Sequence, residues 1–211
     1  MSEPLFEHDT AIASLMGVVI GILALVPLAA VGARLTFLYD LAIVGCIGVG
    51  ISAGFLGCKL AAERAPLLVE IARFCLVGAL NTLLELVIIN ILIVATGVAD
   101  GLYFVAFKTF SFSVGVASSY IYNKRWTFAS TTSSGAVEFG RFAVVSVTGL
   151  FLNVGTAVFL VNGIGAPILI NKLLWANIAV IIAVLVAATW NYVSQKYIIF
   201  RSPKRADTLH L

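Results

Sequence analysis

The stretch Ser118-Ser119-Tyr120-Ile121-Tyr122-Asn123-Lys124-Arg125-Trp126-Thr127-Phe128 closes a long apolar run with a basic turn. It has an echo in Trp190-Asn191-Tyr192-Val193-Ser194-Gln195-Lys196-Tyr197-Ile198-Ile199-Phe200. At an offset of 72 residues, Tyr120 falls on Tyr192, Lys124 on Lys196 and Phe128 on Phe200, while Asn123 falls on another amide, Gln195. Upstream, Glu70-Ile71-Ala72-Arg73-Phe74 matches Glu138-Phe139-Gly140-Arg141-Phe142 at an offset of 68, and Val77 falls on Val145. The difference of 4 residues fits a longer connection in the second copy. Residues 70–128 and 138–200 therefore read as two copies of one unit, and a repeat of this kind decides the architecture before any single element does.

The class of protein follows from composition. Of 211 residues, 61% are hydrophobic and 11% charged, against about 25% charged in a soluble domain. With a mean hydropathy of +1.09, the chain reads as an integral membrane protein whose first partner is the lipid bilayer. A net charge of +3 is too small to argue for nucleic acid. Cys46, Cys58 and Cys75 lie in or beside apolar runs without metal-ligand spacing, and read as free thiols packed as small apolar residues. His8 and His210 sit in the two tails. No metal, no cofactor and no catalytic residue is expected: there is no phosphate-binding glycine loop, and no Ser or Thr has a His nearby to activate it.

Six apolar runs read as membrane helices, at 11–33, 41–58, 71–96, 102–122, 142–161 and 173–193. Each is close to the about 20 residues that cross about 30 Å of hydrocarbon. Continuous runs exclude a barrel, which needs short alternating strands. The expected fold is thus an all-α polytopic bundle of about six helices with a parallel two-helix internal repeat. Residues 1–10 read as a short acidic tail without the basic region of a secretory signal, so the first run is expected to stay. Pro27 is a candidate kink. The second run is rich in glycine, and Gly50 and Gly54 are spaced either for a dimer seam or for packing inside one chain. The division is a two-helix extension over 1–66, a four-helix domain over 67–200 with repeats 70–128 and 138–200, and a basic tail over 201–211.

Lys and Arg set the orientation. Six spans put Lys59, Arg64, Arg73, Lys124, Arg125, Arg141, Lys196, Arg201, Lys204 and Arg205 on one side, and Arg34, Lys108 and Lys172 on the other. That asymmetry places both termini in the cytoplasm. Two spans per repeat give both copies the same orientation, with an axis along the membrane normal.

Charge inside the apolar runs is the main signal for a site. Glu85 lies 15 residues beyond Glu70, roughly 22 Å along a helix and so within the hydrocarbon. Lys108 lies 16 residues before Lys124 on the next helix, at similar depth. The two are expected to pair or share a polar cavity. The alternatives are a structural ion pair, or a Lys108 that snorkels outward. Asn81 lies one turn before Glu85. In the fifth helix Ser146, Gly149, Asn153 and Thr156 recur at helical spacing, as a site face or as interhelical hydrogen-bonding groups. At the basic end, Arg73, Lys124, Arg125, Arg141 and Lys196 interleave with Tyr122, Trp126, Phe128, Tyr192 and Tyr197. Cations beside aromatics mark the headgroup level, and their recurrence in both copies suggests a clamp for an anionic headgroup.

The pattern Arg73-Phe74-x-x-Val77-Gly78, then Asn81 and Glu85, then Tyr122-Asn123-Lys124-Arg125-Trp126-Thr127-Phe128, resembles the GtrA-like family. Arg141-Phe142 to Asn153, then Asn191-Tyr192 to Lys196 and Phe200, resembles the rest of it. The resemblance covers about 70–200 and leaves out the first two helices, since typical members have four. It implies a role in cell-surface polysaccharide synthesis, in which a polyprenyl-phosphate-linked sugar is flipped across the cytoplasmic (inner) membrane. A membrane glycosyltransferase is the implied partner, and a homodimer is expected because six short helices are few to enclose such a lipid. On that reading Asn81, Glu85, Lys108 and Asn153 bind the sugar, and Arg73, Lys124, Arg125, Arg141 and Lys196 bind the lipid phosphate. The alternatives are a non-transporting scaffold for a glycosyltransferase and a small proton-coupled exporter using Glu85.

Overall fold

A computed structural model describes residues 3–30, 36–62, 64–98, 101–131, 135–165, 167 and 172–200. Among them are six α-helices: α1 (Glu3–Ala30), α2 (Phe37–Leu60), α3 (Leu67–Thr96), α4 (Gly101–Tyr122), α5 (Ala136–Val158) and α6 (Lys172–Ser194). The described residues contain no strand. The expected all-α polytopic bundle is what the chain forms. His8–Val26, Phe37–Leu60, Leu67–Thr96 and Ala136–Thr156 are long and apolar enough to cross a membrane, counting only described residues.

The helices outrun the apolar spans that located them. Hydropathy marks the hydrocarbon segment, whereas backbone hydrogen bonding carries a helix on into the headgroup layer. So α1 begins at Glu3 rather than residue 11, and what read as an acidic tail is helical. It also continues through Pro27. At the other extreme, α3 stops where Gly97 adopts φ +70° and donates its N–H to the Ile93 carbonyl, the left-handed cap that glycine takes without a Cβ clash.

The chain forms two compact units, Met1–Thr127 and Phe128–Leu211. In the first, α1 packs on α2 and α3, and α3 on α4. Ala13, Met16, Ile20, Phe55, Val69, Val77, Leu80 and Trp126 form its core. The approach of α1 to α2 is made by Gly17, Gly21 and Gly48: a Cβ on Gly21 would lie 2.9 Å from Val44 Cα. Ser52 Oγ donates to Ser14 Oγ across the same seam. The spaced pair Gly50 and Gly54 takes no part, since both face open space. In the second unit α5 packs on α6, and Trp190 Nε1 donates to the Val145 carbonyl.

Both units end alike. Past Tyr122 the chain widens into a π-helical turn, Asn123–Thr127, and past Ser194 into another, Gln195–Ile199. These segments are equivalent at the offset of 72 residues read from the sequence. In the second, the Phe200 N–H donates to the Gln195 carbonyl, five residues back. A π turn is a rare insertion in an α-helix and is concentrated at functional sites.

Candidate functional site

The closing turns hold cations against rings. Lys124 Nζ lies 5.7 Å from the Tyr120 ring centre, and its equivalent Lys196 lies 5.3 Å from that of Tyr192. Lys196 also donates to Tyr192 Oη at 3.0 Å and stands 5.7 Å from the Tyr197 ring. The geometry follows from spacing, because each Tyr precedes its Lys by one helical turn. Asn123 and Gln195, one residue earlier, are buried in both units. Within the first, Thr127 Oγ1 donates to Asn123 Oδ1, and Asn123 Nδ2 to Ser119 Oγ. In the second, Phe128 and Phe142 pack on Phe200.

The basic residues differ in availability. Lys124 is buried, Lys196 half-buried, and Arg125 and Arg141 are exposed. Arg73 is half-buried and bound: it donates to a carboxylate oxygen of Asp9, on α1, and to the Trp126 carbonyl. Its guanidinium also lies 5.9 Å from the Trp126 ring centre. The other oxygen of Asp9 accepts from Trp126 Nε1 at 3.1 Å. Lys59 completes the cluster. Its side chain has 0% exposure, its Nζ lies 3.7 Å from Asp9, and it donates to Thr10 Oγ1. The start of α1, the end of α2, the start of α3 and the turn after α4 therefore meet at one end of the first unit. Nothing in the sequence singled out Asp9 from the other acids before the first apolar run, Glu3 and Glu7.

Deeper in the helices, Asn81 and Glu85 stand one turn apart on α3, both half-buried. Both polar atoms of the Asn81 amide are buried without a hydrogen-bond partner among the described residues. Lys108 lies on α4, but its side chain is outside the described residues, so the expected pairing with Glu85 is too. Asn153 is half-buried on α5.

Sequence reasoning left Asn191 without a role. Its Oδ1 is buried and lacks a partner among the described residues. A Cβ on Gly149 would lie 2.6 Å from its amide, so the bare glycine makes its room. At the repeat offsets Asn81 is equivalent to Gly149, and Asn191 to Ser119. Among the described residues each unit thus holds an incompletely bonded amide, Asn81 on α3 in the first and Asn191 on α6 beside Gly149 in the second. Alignment by residue type hides this exchange; the signal at Asn191 was Gly149, at the position equivalent to Asn81.

A family model described as the GtrA/DPMS transmembrane domain matches residues 73–200, more than half of the chain. The chain belongs to this family. The GtrA/DPMS match starts at Arg73, the residue that Asp9 holds, and ends at Phe200, so α1 and α2 precede it. The chain is also 26% identical over 103 residues to the uncharacterised membrane protein YngA of Bacillus subtilis, across 49% of this chain and 66% of that protein, just under two thirds of its length. No solved structure matches. GtrA/DPMS membership makes the chain a multi-pass membrane protein embedded in the bilayer, in a family tied to glycan synthesis and generally without catalysis of its own.

Proposed function

We propose that the protein moves a polyprenyl-phosphate-linked monosaccharide from one leaflet to the other, without making or breaking a covalent bond. One observation carries the reading most. Each unit joins a cation-bearing π turn at one end to a buried, incompletely bonded amide farther along its helices. A phosphate needs the first, and sugar hydroxyls need the second. Hydroxyls crossing hydrocarbon without partners cost several kcal/mol each, roughly 2–7 by transfer data. In this reading Asn81, Glu85 and Lys108 serve the sugar in the first unit, and Asn153 and Asn191 in the second. The basic ends receive the phosphate. The basic side faces the cytoplasm, where a membrane glycosyltransferase supplies the loaded lipid in the inner membrane.

Proteoliposomes with a labelled short-chain polyprenyl-phosphate sugar test this by access from the outer leaflet. Native protein should flip it, and Glu85→Gln and Lys108→Ala should each slow flipping about tenfold, the loss of roughly one charge-assisted hydrogen bond. A second reading, a scaffold for the glycosyltransferase, is favoured by the outer face of α2. There Gly50, Gly54 and Gly57 face open space, and another helix could approach closely. If native protein moves no such lipid yet retains the glycosyltransferase in a pull-down, the scaffold is correct and the flippase is not.

A further inference from the structure

We propose that the anionic headgroup binds at the Arg141 end of the second unit, and that Asp9 of α1 keeps the equivalent Arg73 end of the first unit closed. This rests on the proposed function and narrows where its phosphate sits. Arg73 and Arg141 are equivalent at the offset of 68, and each has a glutamate three residues before it, Glu70 and Glu138. The local acid therefore does not distinguish the two arginines. What distinguishes them is Asp9 and Lys59, outside the repeats, and Trp126, which the second copy does not keep.

At the first arginine an anion's place is taken. The Asp9 carboxylate accepts from Arg73 and from Trp126 Nε1, and sits within ion-pair distance of Lys59. These are the donors that the oxygens of a phosphate ester would use: a guanidinium fork, an ammonium and an indole N–H. A phosphate entering there would have to displace a carboxylate fixed on a helix of the same chain.

At the second arginine these features are missing. Arg141 is exposed, and the ion pairs found among the described residues leave it out. The residue equivalent to Trp126 is Ile198, which is 62% exposed and whose side chain offers neither a ring nor a donor. The π turn bearing Lys196 packs on α5, which carries Arg141. Phe142, next to Arg141, packs on Phe200 at the end of that turn. A guanidinium and a half-buried ammonium thus share one end of the unit. Two cations against one phosphate is a favourable charge ratio at the headgroup level.

The test is equilibrium binding of farnesyl phosphate to the full chain in phosphatidylcholine nanodiscs, with folding of every variant checked by size exclusion and thermal melting. The native chain should bind one equivalent, and Arg141→Gln should weaken that binding about tenfold or more. Asp9→Asn should open a second equivalent, and Asp9→Asn with Arg73→Gln should remove it again. Where Asp9→Asn alone fails to fold, Asp9→Asn with Lys59→Met removes the buried ammonium it strands, and the same second equivalent is expected. A count that stays at one after Asp9 is neutralised overturns the closed first site. Native-like binding by Arg141→Gln overturns the open second one. Inorganic phosphate should compete only in large excess, about a hundredfold; competition at parity would make the ligand a free anion and not a lipid. A native chain that binds no farnesyl phosphate at all removes the proposed function beneath this inference, a result distinct from the others.

Discussion

Asp9 carries more of the first unit than any other single residue. One carboxylate satisfies a guanidinium, an indole N–H and a fully buried ammonium. Removing one member of a buried ion pair leaves the rest uncompensated and costs about 3–5 kcal/mol. Asp9→Ala should therefore lower the thermal midpoint in detergent by several degrees, whereas Arg64→Ala, at an exposed position in the link before α3, should barely move it. The Asn81 amide predicts the opposite balance. Its two polar atoms lack partners among the described residues, and replacing a buried unsatisfied amide with an apolar group of like shape is neutral or stabilising. Asn81→Leu should leave the melting midpoint level or higher while flipping falls about tenfold, as expected of a group kept for its ligand. A lower midpoint with flipping intact would mean that the amide is structural. At this scale the sequence was half legible. Asn81 and Glu85 stood out because polarity inside an apolar run is costly. Asp9 did not, because acidity outside such a run is cheap and its partners arrive from three other helices.

The helices themselves were legible because each is a continuous apolar run, and lipid permits such a run little besides a helix. Their ends were not, since the headgroup layer accepts helix and loop alike. The π turns were invisible for another reason. Their residues fit an α-helix as well, and what marks them is a pattern of hydrogen bonds, such as that from Phe200 to Gln195. Glycine density drew attention to α2, where Gly48 makes the contact, while Gly17 and Gly21 on α1 were not singled out. Gly50 and Gly54 had the spacing, while Gly17, Gly21 and Gly48 have the contact. Spacing defines a face; only the partner helix decides which face is used. Gly21→Ala should force α1 away from the Val44 backbone and cost about 1–3 kcal/mol, read as a lower melting midpoint. Gly50→Ala should cost nothing measurable in the isolated chain. Should Gly50→Ala instead lower the midpoint, α2 packs on its other side.

Over the whole molecule, the two compact units carry π turns at positions equivalent under the offset of 72. The likeness is incomplete. Glu85 aligns with Asn153 and Trp126 with Ile198, and Asp9 has no second copy. The family match begins at residue 73, yet the first matched residue is held by a side chain that precedes the match. A chain starting at residue 61 should therefore fold poorly, although it contains the whole matched region. Adding Arg73→Gln to that truncation should recover part of the yield of monodisperse protein, because it removes the stranded charge. Full yield from the truncation alone would show the first two helices to be dispensable for folding.

The Asp9 cluster also records an order of events. Translation delivers a chain from its N-terminus at about 5–20 residues per second. Asp9 exists before any group that binds it; Lys59 follows, then Arg73 after 64 residues and Trp126 after 117. The first hairpin can neutralise its own ammonium as it enters the bilayer, so no bare cation waits there for help. The guanidinium of the third helix then arrives beside a carboxylate already in place. The indole comes last and closes the assembly. A side chain near the first residue thus serves as a berth reserved ahead of the cargo, and ribosome-bound chains halted between these points would show it filling step by step.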